Sequence, residues 1–205
     1  MYCSGVSMRV YQALVLLAVA AAPVAAMADN FNLSSGTAAY TVTEPSLVTI
    51  TALTTTPNPA WTASIPGAVW INTTGGNNDY VQNGLYVYTT QFVLTSTSDL
   101  SGLFASDNSA TVSLSGSATT FSNTYADSFT TATPFSYDDL GPGTYTLTFD
   151  VTNGGGSENP NSSGPTGLLV GANTVTITPE PSSLALLGTG ILGAAGIARR
   201  RLFSR

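Results

Sequence analysis

Few side chains in this sequence could take part in catalysis or metal binding. Positions 10–198 contain no lysine, arginine or histidine, and the single cysteine, Cys3, precedes the first apolar segment. This excludes histidine triads, Schiff-base lysines, arginine clamps and histidine metal sites from the middle of the chain. Nucleic acid is excluded as a partner too, because phosphate binding depends on Lys and Arg. The groups left for chemistry are carboxylates, hydroxyls and amides.

Asp138 and Asp139 are the only adjacent acids in the sequence. Two carboxylates that share a substrate can act as acid and base in glycoside cleavage. Neighbouring residues of an extended chain, however, point to opposite faces, so adjacency argues against a shared substrate. We expect no enzymatic activity, and a carboxylate-dependent glycoside hydrolase remains an alternative.

Asp107 and Asn108 lie where a strand is expected to give way to a loop. Their oxygens could coordinate calcium or hydrogen-bond a sugar hydroxyl. An Asx turn needs the same residue types for backbone reasons, and it is the interpretation that we favour. Asp79, in Asn77-Asn78-Asp79, invites the same metal interpretation but lacks the spacing of a calcium loop. No cofactor is expected, and a structural calcium at Asp107 or Asp79 is left open.

Two tryptophans, Trp61 and Trp70, could form a platform on which a sugar ring stacks. A large aromatic side chain in a β-sandwich more often fills the core. We expect Trp70 to be a core residue.

The region from Asn30 to Thr178 has the pattern of a β domain, because apolar and polar residues alternate and no helical period persists. Strands are predicted in the segments LVTIT from Leu47, LYVYTTQFVL from Leu85, ATVSLSG from Ala110, GTYTLTFDV from Gly143 and NTVTIT from Asn173. Turns are predicted at Pro57–Pro59, Gly75–Asn78, Asp99–Gly102, Gly141–Gly143 and Gly154–Gly156. The spacing predicts an all-β fold, an antiparallel jelly-roll-like β-sandwich, over residues 29–178.

One predicted strand shows which of its faces is buried. Tyr145, Leu147 and Phe149 share one face, which we expect to be core, while alternating threonines form the other. Without lysine, the edge strands lack their usual positive guards against pairing with other chains. A few inward or edge acids must serve instead.

The N-terminal 28 residues are predicted to be a signal peptide. Arg9 precedes an apolar run, Tyr11–Ala22, and Ala26-Met27-Ala28 offers a cleavage site that places the mature start at Asp29. A retained anchor is the alternative, but the apolar run has only about a dozen residues, whereas a span needs about 20.

Near the other end, 17 uncharged residues from Ser182 to Ala198 precede four arginines. A helix of this length reaches about 25 Å, and snorkelling arginines extend it far enough to span a bilayer. Because positive residues stay cytoplasmic, Arg199, Arg200 and Arg201 orient the domain outside. We predict a transmembrane helix over 181–198 and a basic cytoplasmic end over 199–205.

Pro179-Glu180-Pro181, the apolar helix and the arginine cluster together resemble the PEP-CTERM sorting signal of Gram-negative bacteria. The resemblance covers about the last 27 residues. It implies recognition by an exosortase, a membrane peptidase, in species that make exopolysaccharide. The chain would then be anchored in the inner membrane during sorting and later reach the cell surface, outer envelope or extracellular matrix.

A second resemblance is to galactose-binding-like jelly-roll domains found in PEP-CTERM and related surface proteins. Such domains often bind sugar or a structural calcium. The resemblance implies candidate carbohydrate-binding residues at Trp61, Asp107, Asn108 and Asn153. It rests on Trp61, Val69–Ile71, Tyr86–Tyr88, Phe92–Leu94, Ala105–Asn108, Val151–Gly155 and Gly164–Leu168.

These features favour an exported, non-enzymatic protein of the cell envelope or exopolysaccharide matrix that associates with polysaccharide. The alternative is a structural or adhesive module stiffened by calcium, which the acidic composition and the Asp and Asn turns suggest. The expected partners are an exosortase, an exopolysaccharide and, through the C-terminal helix, a membrane.

Overall fold

The computed structural model describes residues 30–76, 80–123, 128–154, 163–176, 188–191 and 193. In the β domain the chain forms short strands at its start and long strands thereafter. They are β1 (Thr41–Thr43), β2 (Thr49–Thr51), β3 (Leu53–Thr54), β4 (Ile71–Asn72), β5 (Val81–Gln82), β6 (Gly84–Leu94), β7 (Ser98–Asp107), β8 (Ser109–Leu114), β9 (Thr120–Ser122), β10 (Thr133–Leu140), β11 (Gly143–Asn153), β12 (Ser163–Gly164) and β13 (Gly167–Thr176).

Two antiparallel sheets pack against each other. The six-stranded sheet has the order β2-β1-β6-β11-β8-β9 and the five-stranded sheet the order β10-β7-β13-β4-β3, while β12 and β5 form a ribbon. The long strands alternate between the sheets along the chain, as β6, β7 and β8 do and as β10, β11 and β13 do. This alternation is typical of jelly rolls. The predicted all-β, jelly-roll-like sandwich is therefore confirmed.

The main core lies between the two sheets, and alternation along the strands selects its residues. On β11, Leu147, Phe149 and Val151 are fully buried, and Tyr145 packs against the same core. The intervening residues of β11 are half-buried or exposed. The predicted core face of this strand is confirmed, and β6, which pairs with β11 along its whole length, alternates in the same way.

A second core covers the outer face of the five-stranded sheet. The covering loop, residues 55–70, lies over Ala105 of β7 and Leu169 of β13 and buries Trp61 and Trp70. Trp70 is thus the core residue that the sequence predicted.

Two strand glycines let the covering loop approach the sheet closely. A Cβ on Gly167 would lie 2.7 Å from Cη2 of Trp61, and a Cβ on Gly171 would collide with Ile65. Both glycines are on β13. Their missing side chains make room for the loop residues of the second core.

The strand and turn predictions failed in several places. Asp99–Gly102, predicted as a turn, lies inside β7, where a Cβ on Gly102 would come within 2.6 Å of the Gly171 carbonyl oxygen on the neighbouring strand. The glycine there serves close packing rather than chain reversal. Strand β10 was missed, and the strand predicted from Leu47 begins only at Thr49, because Leu47 has a positive φ of 64° in a turn.

Edge protection comes from short strands and from the shape of β10. The edge strands β2 and β9 have three residues each and β3 has two. The fourth edge, β10, contains Pro134 and a register shift between Tyr137 and Leu140. Proline and bulges both discourage pairing with another chain. The two acids in the shifted segment, Asp138 and Asp139, are exposed, as expected for edge guards.

The chain divides into two compact units, Ala28–Ile177 and the ends Met1–Met27 with Thr178–Arg205. Of the ends, only residues 188–191 and 193 are described, and they are helical. Within the described parts, no helix is long and apolar enough to cross a membrane. The predicted signal peptide with Ala26, Ala28 and Asp29, the Pro179–Pro181 motif, most of the 181–198 helix and Arg199–Arg201 lie outside the described residues.

Substitution Gly167→Ala should destabilise the domain by roughly 1–3 kcal/mol, since an added methyl group would overpack the contact with Trp61. Thermal or urea unfolding measures the loss. Gly141→Ala is the matched control, because no atom lies within 4 Å of its added Cβ. Equal unfolding midpoints for the two variants would contradict this account of the second core.

Candidate functional site

The four candidate carbohydrate-binding residues lie close together at one end of the sandwich. Asp107 ends β7, Asn108 follows it, and Asn153 ends β11. Trp61 belongs to the covering loop and hydrogen-bonds Asp107. The Asp107-Asn108 cluster, as we call these four residues with Thr166, is therefore assembled from four separate parts of the chain.

The Asp107 carboxylate accepts a hydrogen bond on each oxygen. The indole Nε1 of Trp61 donates to Oδ2 over 2.7 Å, and Nδ2 of Asn108 donates to Oδ1 over 2.6 Å. Strand alternation places Asp107 on the same outer face as Ala105, under the covering loop. These side-chain partners replace the backbone Asx turn that the sequence favoured.

Asn108 and Thr166 fix the backbone around this carboxylate. The backbone N–H of Gly154 donates to Oδ1 of Asn108 over 2.7 Å, so both ends of the Asn108 amide are engaged. The Thr166 hydroxyl donates to the Asp107 carbonyl over 2.7 Å. The sequence predicted no role for Thr166, which lies in the Gly164–Leu168 segment of the resemblance to galactose-binding-like domains.

Asn153 joins the β5–β12 ribbon to the end of β11. Its Nδ2 lies 3.3 Å from the carbonyl oxygens of Val81 and Gln82 and 3.2 Å from that of Gly164. Asn153 is buried, and its amide hydrogens point at backbone carbonyls of both ribbon strands. The observed contacts of this residue are thus structural.

Burial limits what the cluster can do chemically. Asp107 is 4% exposed and Trp61 5%, and the ring of Trp61 lies 4.6 Å from that of Trp70. A sugar could stack on Trp61 only if the covering loop moved. A direct role in sugar binding therefore stays a prediction for Trp61 and Asp107, while Asn108 is half-buried at the surface.

Burial also raises the pKa of Asp107 to about 6, against a smaller opposing effect of the Trp61 hydrogen bond. No basic side chain between positions 10 and 198 can compensate the charge. Within the described ranges, no three His, Cys, Asp or Glu residues lie close enough to hold a metal ion. Of the two calcium candidates, Asp79 lies outside the described residues. A calcium ion at Asp107 would have to share the carboxylate oxygens with the hydrogen-bond donors of Trp61 and Asn108.

The acid pair lies in an irregular segment of β10. Asp138 and Asp139 are both exposed on the five-stranded sheet, and Asp139 has a positive φ of 56° that breaks the strand alternation. The argument from opposite faces assumed a regular strand, and this segment of β10 is irregular. The backbone N–H of Asp139 donates to Asp99 over 2.9 Å.

Folding stability should fall as the pH rises from about 4 to about 6. Burial raises the pKa of Asp107 and, in the same direction, that of Asp150, so in this window the folded state holds protons that the unfolded chain has lost. The melting temperature should be higher at pH 4.5 than at pH 7, and Asp107→Asn should flatten the difference.

Asp138→Asn is the matched variant for this measurement, because it removes one exposed carboxyl and so separates the loss of a charge from the loss of the buried carboxyl. A wild-type melting temperature that rises between pH 4.5 and pH 7 would contradict the assignment of a buried, destabilising carboxylate.

Three solved structures are similar to the sandwich. Two are GH2 β-galacturonidases from Eisenbergiella tayi, one bound to galacturonate (17% identity, TM-score 0.40) and one to glycerol (18%, 0.38). They cover 74% and 75% of this chain, which spans only 25% of each of those chains. The third is the CBM36-1 domain of a multidomain xylanase from the hindgut metagenome of Trinervitermes trinervoides, at 12% identity and a TM-score of 0.32, covering 74% of this chain and 99% of that domain. At these levels, none of the three assigns a ligand or an activity to this chain.

The sequence comparisons concern the C-terminal segment. No curated protein matches the chain. Residues 178–201 match the family model of the PEP-CTERM protein-sorting motif, the segment in which the sequence showed Pro179-Glu180-Pro181 and the arginine cluster. The chain therefore carries a PEP-CTERM sorting motif, which indicates a surface protein processed by an exosortase.

Proposed function

We propose that the chain is an exported, non-enzymatic protein of the cell envelope or exopolysaccharide matrix, whose β-sandwich associates with carbohydrate. The observation that carries the proposal is the sorting motif at residues 178–201. By resemblance, such tails occur in species that make exopolysaccharide, which supports an association of the secreted domain with that polymer.

The proposed organisation has three parts: a signal peptide over 1–28, the sandwich over 29–178 and a sorting tail over 179–205. In the tail, a helix over 181–198 crosses the inner membrane and residues 199–205 stay in the cytoplasm. The distribution of charge supports this topology, because four of the five basic residues lie at 199–205 and positive residues are retained inside.

A binding role fits the site better than catalysis does. The buried Asp107 carboxylate accepts hydrogen bonds from the side chains of Trp61 and Asn108. The exposed acids Asp138 and Asp139 lie in an irregular segment of β10. A hydrolase needs an acid and a base on either side of a substrate. Glycosidase activity that disappears in Asp138→Asn would instead support the enzymatic alternative.

A calcium-stiffened module is the second interpretation of the acidic composition. It requires further oxygen ligands around Asp107 or Asp79. A melting temperature that rises with calcium and returns with chelator would support it, and an unchanged one would remove it.

Sorting should depend on the two prolines of the motif. In a host that makes an exosortase, the double variant Pro179→Ala, Pro181→Ala should remain in the membrane fraction as a larger form, because the peptidase would no longer recognise the tail. Cell fractionation with immunoblotting measures this.

The matched control is Pro57→Ala, Pro59→Ala, which changes the same proline spacing in the covering loop. The control should be released like the wild type. If the motif variant is released to the same extent as the wild type, the exosortase does not depend on the two prolines for recognition.

A further inference from the structure

The outward face of the six-stranded sheet carries a continuous row of hydroxyl groups. The strand registers place one hydroxyl-bearing residue of each strand side by side. All six alternate with core residues along their strands and therefore point outward. This hydroxyl row consists of Thr51, Thr41, Thr89, Thr148, Ser113 and Thr120.

A second row lies two residues further along the same strands. It contains Thr49, Thr43, Thr111 and Ser122, together with Val87 and Asp150 at its centre. Neighbouring strands are about 4.8 Å apart and alternate residues about 6.8 Å apart, so the two rows form a regular grid about 24 Å wide. The grid is much larger than one sugar ring.

Six of the grid hydroxyls are paired with one another by hydrogen bonds. The Oγ1 atoms of Thr41 and Thr89 are 2.8 Å apart, and those of Thr43 and Thr49 are also 2.8 Å apart. Each such pair shares one hydrogen, which leaves one O–H hydrogen and several lone pairs per pair for another partner. Because threonine is also stiff at χ1, little side-chain freedom remains to be lost on binding.

The grid carries almost no charge. Asp150 is its one ionisable residue, and burial raises the pKa of that carboxyl. No lysine, arginine or histidine between positions 10 and 198 could pair with an acidic polymer, and the whole chain has a formal net charge of −6. Charge complementarity therefore favours a neutral partner, and a dense set of donors and acceptors favours one that is rich in hydroxyls.

The two rows contain no aromatic residue, so they offer no ring on which a single sugar could stack. Weak contacts repeated along the grid suit a long chain of sugars, because each further contact is made at high effective concentration. Threonine methyl groups add apolar contact beside most of the hydroxyls.

We propose that this face binds an extended, uncharged polysaccharide along the hydroxyl row. The inference rests on the proposed function, because it names the surface and the class of polymer for the association with carbohydrate. The polymer spans several strands, and its hydroxyls exchange hydrogen bonds with the threonine side chains.

The test is affinity electrophoresis of the full chain in mild detergent, through gels that contain galactomannan, a neutral polymer, or alginate, an acidic one. The triple variant Thr41→Val, Thr89→Val, Thr148→Val removes three hydroxyls of the row and keeps their shape and β propensity. We expect the wild type to be retarded by galactomannan, and the triple variant to bind about tenfold more weakly, since each net hydrogen bond is modest.

Two controls separate hydroxyl chemistry from other effects. The variant Thr41→Ser, Thr89→Ser, Thr148→Ser keeps the hydroxyls and should retain most of the binding. The variant Ser101→Ala, Ser136→Ala removes exposed hydroxyls from the outer face of the other sheet and should bind like the wild type. If the triple valine variant does not fold, Thr148→Val alone gives the same test with a smaller expected loss.

If galactomannan retards the wild type and the valine variant to the same extent, the assignment of this face is overturned and the proposed function stands. Binding of the wild type to alginate alone would have the same meaning. No retardation of the wild type in either gel would overturn the proposed association with carbohydrate along with it. Sedimentation velocity tests whether a second copy of the chain occupies the face instead. A wild-type dimer that the valine substitutions dissociate would assign the face to that second copy and overturn the proposal.

Discussion

The hydrogen bond between the Trp61 indole and the Asp107 carboxylate joins the covering loop to the end of β7. In a chain without basic residues at positions 10–198, a buried carboxylate has no cation to pair with, so neutral N–H donors must stabilise it. Trp61 and Asn108 supply these donors. Asn108 also accepts a hydrogen bond from the backbone N–H of Gly154, in the turn after β11. The arrangement of loops at this end of the sandwich depends on that one buried charge.

The sequence predicted the elements that alternation defines and missed those that packing defines. Strands β6 and β11 were predicted because both are rich in β-branched and aromatic residues, and large and threonine side chains alternate along β11. Strand β7 was missed because Asp99–Gly102 was interpreted as a turn, whereas Gly102 allows the close approach of β13. Four of the five cluster residues were predicted, but neither Thr166 nor the bonding was: Trp61 and Asp107 are 46 positions apart, and no local pattern specifies such a partner.

Three parts of the domain differ in the charge that they carry. One carboxylate is buried at the cluster, two are exposed at the irregular edge of β10, and the broad face of the six-stranded sheet carries hydroxyls around the single Asp150. Catalysis needs charged groups that converge on one point. In the described part of the chain, the buried Asp107 and the exposed acids of β10 lie on different parts of the domain, and the wide face of the six-stranded sheet carries mostly neutral hydrogen-bonding groups.

The central claim is that a secreted sandwich is sorted through a tail at residues 178–201. The most direct measurement is the intact mass of the protein recovered from the culture of an exosortase-containing host. The account predicts a chain that begins at Asp29 and ends near Glu180, processed at both ends. A recovered protein that still contains Arg205 would contradict it, because the tail would then be a permanent anchor and not a sorting signal.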